Sequence, residues 1–253
     1  MNSEERRRGI LETARRDGAV DVNRLADMFQ VAKETIRRDL RAIEEHGLVR
    51  RTHGGAYPVE SAGFETTLET RTTRHVPQKS RIAAAAAGLL GNAETVFIDE
   101  GFTPQLIAEA LPRDRPLTVV TASLMVATVL ADVDRIVVLL LGGRVRGGTM
   151  ATVNHWATKM LADFVIDLAY LGANGISREY GLTTPDPSVG DVKAQAMRSA
   201  RRRVFTGVHR KFGAASFCRF AEVGDFEAIV TDVGLPSAEA QCYSLLGPQV
   251  IRV

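Results

Sequence analysis

The stretch TIRRDLRAIEEHGLVRRTHGGA, Thr35 to Ala56, gathers Arg37, Arg38 and Arg41, with Lys33 just upstream and Arg50, Arg51 and His53 downstream. Arginines grouped on one surface suit a polyanion. The planar guanidinium fork can hold guanine O6 and N7 together, whereas lysine supplies a point charge. Ile36, Leu40 and Ile43 recur at the i, i+4, i+7 spacing of a buried helical face. At about 100° per residue, Arg37, Arg38 and Arg41 then point mostly away from that stripe. The same residues also fit a solubilised surface helix, because Asp39, Glu44 and Glu45 stand close enough to neutralise part of the charge through i, i+4 pairs. Plain solubility likewise accounts for Arg50 and His53.

A second set of chemistry-bearing residues lies where strand-like runs end. VFIDEGFTPQ closes a run at Asp99, turns at Gly101 and offers Thr103 as a helix N-cap with Pro104 as the first helical residue. VVTASLM repeats the device with Thr121 and Ser123. LLGGRVRGG supplies Gly142 and Gly143 with Arg144 and Arg146, and YLGANGIS supplies Gly172, Asn174 and Gly175. Helix N-termini and glycine loops present free backbone N–H groups, which suit anionic or polyhydroxylated ligands. Strand-to-helix turns need glycines and caps in any case, so no single loop marks a site; several in register point to a small-molecule pocket.

The elements that must position these residues are legible in outline. RRRGILETARRDG spaces Ile10, Leu11 and Ala14 as a short amphipathic helix stopped by Gly18, and VDVNRLADMF is a second helix with Leu25, Ala26, Met28 and Phe29 apolar. QVAKE is the turn into the arginine helix, completing a helix-turn-helix. After Gly47, LVRRTHGGAYPV predicts strand, turn and strand, with Gly54 and Gly55 accepting the positive φ of a hairpin: a wing. A three-helix core with a wing places the second helix of the pair in the major groove and the wing at the neighbouring backbone. Residues 1–58 are therefore expected to form a winged helix-turn-helix domain, and the polar, Thr-rich segment 59–75 a linker. Residues 76–253 are expected to form a second domain. There TVFID, LTVVTA, RIVVLLLGG, DLAYLGANG, RVFTGV, AIVTD and QVIRV alternate with helical stretches. That alternation indicates an α/β class, a Rossmann-like, mostly parallel sheet covered on both faces, with ligand beyond the carboxyl ends of its strands. AAAAAGLL, between Pro77 and Gly91, is read as a buried helix, and Trp156 and Tyr170 as core aromatics.

Composition agrees with two globular domains. The 253 residues are 45% hydrophobic and 25% charged, with a formal charge of +2. Residues 1–58 hold 12 of the 32 basic and 10 of the 30 acidic residues, so the whole excess lies there. Cys218 and Cys242 have no metal-ligand spacing and are read as reduced core thiols of a cytoplasmic protein; no metal or cofactor is expected. The charged N-terminus and the short apolar runs indicate neither secretion nor membrane insertion.

The stretch from Ile10 to Ala56 resembles the DNA-binding signature of the DeoR family of bacterial transcriptional regulators, most specifically in TIRRDL and RTHGGA. The resemblance continues through Lys79, FIDEGFT, VVTASL, LLGG, YLGANGI, GLTT, VKAQAM, RKFG and IVTD, over nearly the whole chain. It implies a winged-helix repressor joined to an effector-sensing domain, residues 76–253, distantly related to sugar-phosphate isomerases, which binds a phosphorylated sugar and releases its operator. It adds Lys193, Lys211 and the Phe102 position to the expected effector residues Asp99, Gly101, Thr103, Thr121, Ser123, Gly142, Gly143, Gly172, Asn174 and Gly175. Ala32 stands where the family has the serine capping the recognition helix, which weakens that cap by roughly 1 kcal/mol. In the sensor half, Phe102, Ala122, Val208 and the Val189–Gly190 pair replace polar family residues, and Glu100 fills the open position of the family's Asp-x-Gly-Thr-Thr. Phe102 would narrow the pocket and Glu100 would repel a phosphate dianion, so common hexose and pentose phosphates are expected to bind weakly and the effector to be less anionic or differently shaped.

Thr35, Arg37 and Arg38 are thus expected at base edges and phosphates, Lys33 and Arg41 mainly at phosphate, and Arg51 and His53 at the backbone beside the wing. One winged module makes few contacts, so a homo-oligomer, at least a dimer, on a double-stranded operator is expected. The rival is an isomerase-like enzyme, for which Asp99, Glu100 and Asp191 are the available carboxylates, although the acidic residues near Val208 and Val189 are missing. A winged module serving as a protein adaptor is the third possibility.

Overall fold

Ile36, Leu40 and Ile43 are buried on one helix, as their spacing predicts, and pack with Ile10, Ala14 and Leu25 in one apolar core. The computed structural model describes residues 2–17, 20–45, 48–52, 54–58 and 68–253. The chain divides into two units, Met1–Thr70 and Arg71–Val253. Gly18, Gly47 and His53 lie outside the described residues, as do 59–67 of the expected linker and the Arg50 side chain.

The first unit runs α1 (Ser3–Asp17), β1 (Val20–Asp21), α2 (Val22–Phe29), α3 (Lys33–Glu45), β2 (Val49–Arg51) and β3 (Gly55–Pro58). The strands form a sheet in the order β1-β3-β2, antiparallel at both pairings. Val20 and Asp21, expected in the second helix, instead give this sheet its third strand, and Asp21 caps α2 by accepting from the Asn23 and Arg24 amides. Gln30 closes α2 at a left-handed φ of 50°, so the turn before α3 is only three residues, 30–32. Ala32 contributes its carbonyl alone to the start of α3, accepting from Thr35 N at 2.9 Å. Gly55 is required for a different reason from the positive φ expected of it: a Cβ there would lie 1.8 Å from the Val20 carbonyl oxygen.

The boundary between the units falls within α4 (Leu68–Thr73), a helix in the segment read as linker. The elements of the second unit are α5 (Val76–Ala87), β4 (Thr95–Ile98), α6 (Phe102–Ala110), β5 (Leu117–Thr121), α7 (Leu124–Leu130), β6 (Ile136–Leu140), β7 (Arg144–Arg146), β8 (Ala151–Val153), α8 (His155–Ala162) and β9 (Ile166–Leu171). There follow β10 (Gly175–Ser177), β11 (Gly181–Thr184), α9 (Pro187–Ser199), β12 (Ala200–Thr206), β13 (Cys218–Ala221), β14 (Ala228–Thr231), α10 (Ser237–Ser244) and β15 (Gln249–Arg252). Seven strands form one parallel sheet in the order β15-β14-β12-β9-β4-β5-β6. They are the seven runs picked out from the sequence. One apolar cluster, including Phe97, Leu171 and Phe205, lies on one face of the sheet; the other, including Ile98, Tyr170 and Val204, lies against α5, α6 and α7. A hairpin (β7-β8) and a small sheet (β10-β11-β13) are added at the margins.

Three expectations change. α5 is half-buried rather than buried, with Ala84 exposed, and stops at Ala87. Trp156 is 57% exposed, while Tyr170 is fully buried. Cys218 and Cys242 are free thiols of intermediate exposure, not core residues.

Candidate functional site

The exposed face of α3 carries Lys33, Arg37, Arg38 and Arg41, with Thr35 half-buried in its first turn. Asp39 does not neutralise them. Its buried carboxylate accepts from Arg6 Nε at 2.6 Å and Arg7 Nε at 3.1 Å, both on α1, and so ties α1 to the recognition helix. Glu34 is the counter-ion instead, 3.1 Å from Arg37 Nη1 and 3.5 Å from Arg41 Nη2. Glu44 takes Arg51 on the wing: its carboxylate accepts the Arg51 Nε at 2.6 Å and the Arg51 amide at 2.9 Å. These two hydrogen bonds hold Glu44 below the usual carboxylate range. Among the described residues Arg38 has no ion-pair partner and projects into solvent. Glu34 and the Glu44–Arg51 pair were missed in the sequence; the first is an i, i+3 contact, but the second crosses from helix to strand.

In the second unit strand order reverses at β4, where β5 lies on one side and β9 on the other. Such a reversal opens a crevice beyond the strand ends. Asp99 stands there, just after β4, and accepts from the Gly172 amide at 2.8 Å, just after β9. Lys193, 2% exposed on α9, donates to the same Asp99 oxygen and lies 3.2 Å from Glu100 Oε1. Burial alone would lower the Lys193 pKa, but Asp99 and Glu100 raise it. Burial would push Glu100 up, but Lys193, Arg71 and Lys211 outweigh it and keep that carboxyl low. The charge expected to repel a phosphate is therefore already paired.

Lys211 donates to the Ala173 carbonyl, beside Gly172, and Asn174 accepts from Thr184 Oγ1 at 3.3 Å. Gly175 opens β10 with no room for a side chain, since a Cβ would meet the Ala214 carbonyl at 2.4 Å. Phe102 is half-buried with Lys79 Nζ 5.5 Å above its ring, and Lys79 also donates to the Arg71 carbonyl. Burial, with Arg71 and Arg74 nearby, pushes Lys79 down to about 8.

Other expected residues serve the framework. Gly101, at φ 114°, is the N-cap of α6 in place of Thr103, which is buried in the first turn. Pro104 is then third in the helix, where its missing N–H costs nothing. Thr121 donates to the Ile98 carbonyl at 2.6 Å and accepts the Ser123 amide at 3.0 Å; Ser123 caps α7 by accepting the Val126 amide at 3.2 Å. Gly142 packs on Met160 of α8 and Gly143 against the Val153 carbonyl. Arg146 pairs with Asp186, the cap of α9, at 2.8 Å, and Arg144 is exposed. The sequence did not single out His209 and Asp232, which follow β12 and β14. Asp232 accepts the His209 amide at 2.7 Å and approaches its Nδ1 at 2.6 Å. Inspecting these strand ends like the others would have found them.

A winged three-helix unit presenting arginines, followed by a parallel α/β unit with an ion cluster at the sheet reversal, defines a DNA-binding transcriptional regulator with a sensor-type domain. The "DeoR-like helix-turn-helix domain" family model matches residues 6–62, and the "DeoR C terminal sensor domain" model residues 74–233. The chain belongs to the DeoR family. It is 35% identical to the HTH-type transcriptional regulator GlpR of Haloferax volcanii, over 90% of this chain and 89% of that one. It is 30% identical to the glycerol-3-phosphate regulon repressor of Escherichia coli, over 95% of each. Ribose 5-phosphate isomerase A of Methanocaldococcus jannaschii shares 15% identity over 53% of each chain, with a TM-score of 0.38, a distance at which no activity transfers. The chain is a regulator and not an enzyme. No described helix is long and apolar enough to cross a membrane.

Proposed function

We propose that this regulator is a cytoplasmic repressor of carbohydrate-metabolism genes that acts as a homo-oligomer. It binds operator DNA and releases it when a compact, anionic, carbohydrate-related metabolite binds at the β4–β9 reversal. The observation that carries the effector reading is the buried Asp99–Lys193–Glu100 cluster. Burying three ionisable groups at the end of a sheet costs stability unless they are paired and serve a site. With Glu100 turned onto Lys193, the cations Arg71, Lys79 and Lys211 are near enough to favour an anion, while the Phe102 ring limits its size. The name of the Escherichia coli relative is consistent with a three-carbon phosphate.

A thermal-shift series with glycerol 3-phosphate, glycerol, a hexose phosphate and inorganic phosphate tests this, since a bound ligand raises apparent stability by mass action. Glycerol 3-phosphate or a metabolite of its size should shift the second unit and release DNA selected from a random library. A shift by neutral polyols alone would overturn the anionic assignment, and no shift by any compound would overturn the carbohydrate class.

A further inference from the structure

A cavity of about 310 Å³ opens in the DNA-binding unit between the start of α2, helix α3 and the wing, lined by Val22, Asn23, Arg37, Leu40, Arg51, Thr52 and the backbone of Gly54 and Gly55. Its floor is apolar: Val22 and Leu40 are 7% and 1% exposed. Its rim carries two exposed guanidinium groups, one from the recognition helix and one from the wing. Glu34 and Glu44, which pair with these arginines, lie outside the lining, and Asp21, beside Gly54, is taken up by the Asn23 and Arg24 amides. Nor is this the free end of a helix dipole. The first amides of α2 are already used: Val22 N donates to the Gly54 carbonyl at 2.8 Å, and Asn23 N and Arg24 N donate to Asp21.

Two guanidiniums across a polar cavity fit one tetrahedral anion held from both sides. We infer that Arg37 and Arg51 form a single clamp on one phosphodiester of the DNA strand that passes between the recognition helix and the wing, with Asn23 as a hydrogen-bonding partner. The inference rests on the DNA-binding reading and narrows the division of labour expected from the sequence, in which Arg37 and Arg38 share base edges and phosphates. Glu34 and Glu44 hold the two forks in the free protein. Both pairs are solvent-exposed, so exchanging each carboxylate for phosphate meets a small barrier. Arg38, without such a partner, is left to reach base edges.

The test uses the full chain and an operator selected from a random duplex library, with Arg37→Gln, Arg51→Gln and the double variant. Circular dichroism melts establish that each variant is folded. If one phosphate is shared, either single variant leaves it paired with the other guanidinium and changes the salt slope of log K little, while the double variant lowers it by about 0.9; separate phosphates give about 0.9 for each single variant and about 1.8 for the double. One neutral methylphosphonate, scanned along the backbone, should erase the effect of both substitutions at the same position. Relaxed preference at one base pair in Arg37→Gln that no methylphosphonate position erases would overturn the clamp, as would a loss of about 1.8 in the double variant. Inorganic phosphate should compete no better than chloride at equal ionic strength. Saturable binding of inorganic phosphate that depends on both arginines, with no methylphosphonate effect, would assign the cavity to a free anion instead. Failure of the parent protein to bind any duplex in a salt-dependent way would remove the DNA reading itself, a result separate from these.

Discussion

Asp39 is 1% exposed and holds Arg6 and Arg7 against the recognition helix. Replacing it with alanine leaves the Arg6 guanidinium, itself nearly buried, without its anion. Breaking such a pair costs about 3–5 kcal/mol, so Asp39→Ala should lower the denaturation midpoint of the first unit and leave the second unchanged. Adding Arg6→Met should recover part of the loss, because removing both charges spares the uncompensated one; no recovery would mean that Asp39 acts through something other than this pair. Lys79 gives a prediction of the opposite sign with pH. Its pKa falls from 10.5 to about 8 in the folded chain. Below that value it is charged in both states and the native state bears the desolvation. As pH rises from about 8 to 10.5 the native state loses its proton first, the unfolded state binds more protons, and stability contributed at this position rises. Unfolding measured at several pH values should show that rise in the parent protein relative to Lys79→Met. Parallel pH curves for the two would contradict the burial of the ammonium.

Elements differ in how plainly the sequence announces them. The seven strands of the large sheet are legible because a parallel sheet covered on both faces needs near-continuous runs such as TVFI and AIVT. Strands β10, β11 and β13 are three or four residues each, too short to set up a pattern of their own; β10 and β11 pair as a local hairpin, but β13 joins β11 from more than thirty residues on. The same division holds in the sites. The arginines of α3 follow from periodicity, but the choice of Glu34 rather than Asp39 as their counter-ion depends on where α1 lies. Asp99 follows from its place at a strand end and Lys193 from the resemblance; that Glu100 would turn onto Lys193 depends on the packing of α9 against the β4 end, 94 residues away in sequence for the Asp99 contact. Gly55 shows a right residue expected for the wrong cause. Because any Cβ would strike the β1 backbone, Gly55→Ala should detach β1 from β3 and loosen the wing. Calorimetry should show the first unit melting earlier and the second unmoved, with weaker DNA binding; an unchanged first transition would show that the strands part without cost.

At the scale of the whole molecule, regulation requires that DNA and effector prefer different states of one chain, and linkage makes the preference reciprocal. If saturating effector weakens operator binding by some factor, saturating operator must weaken effector binding by the same factor. Couplings of this kind are typically about 5–150-fold. The second unit begins at Arg71, whose carbonyl accepts from Lys79 Nζ and whose charge acts on Glu100. An anion arriving among Lys79, Lys211 and Arg71 competes with that carbonyl for the Lys79 ammonium. On the proposed reading, binding would thereby be felt at Arg71, where the second unit begins. Lys79→Met, which cannot make that exchange, should bind operator as the parent does but lose most of the effector-dependent release. Anisotropy titrations of labelled operator with and without effector, paired with effector calorimetry with and without operator, measure both sides of the cycle. Equal factors in the parent and a factor near one in Lys79→Met are expected. If Lys79→Met retains full release while binding effector normally, the signal does not pass through Lys79, and the contact with Arg71 is only a brace for α5.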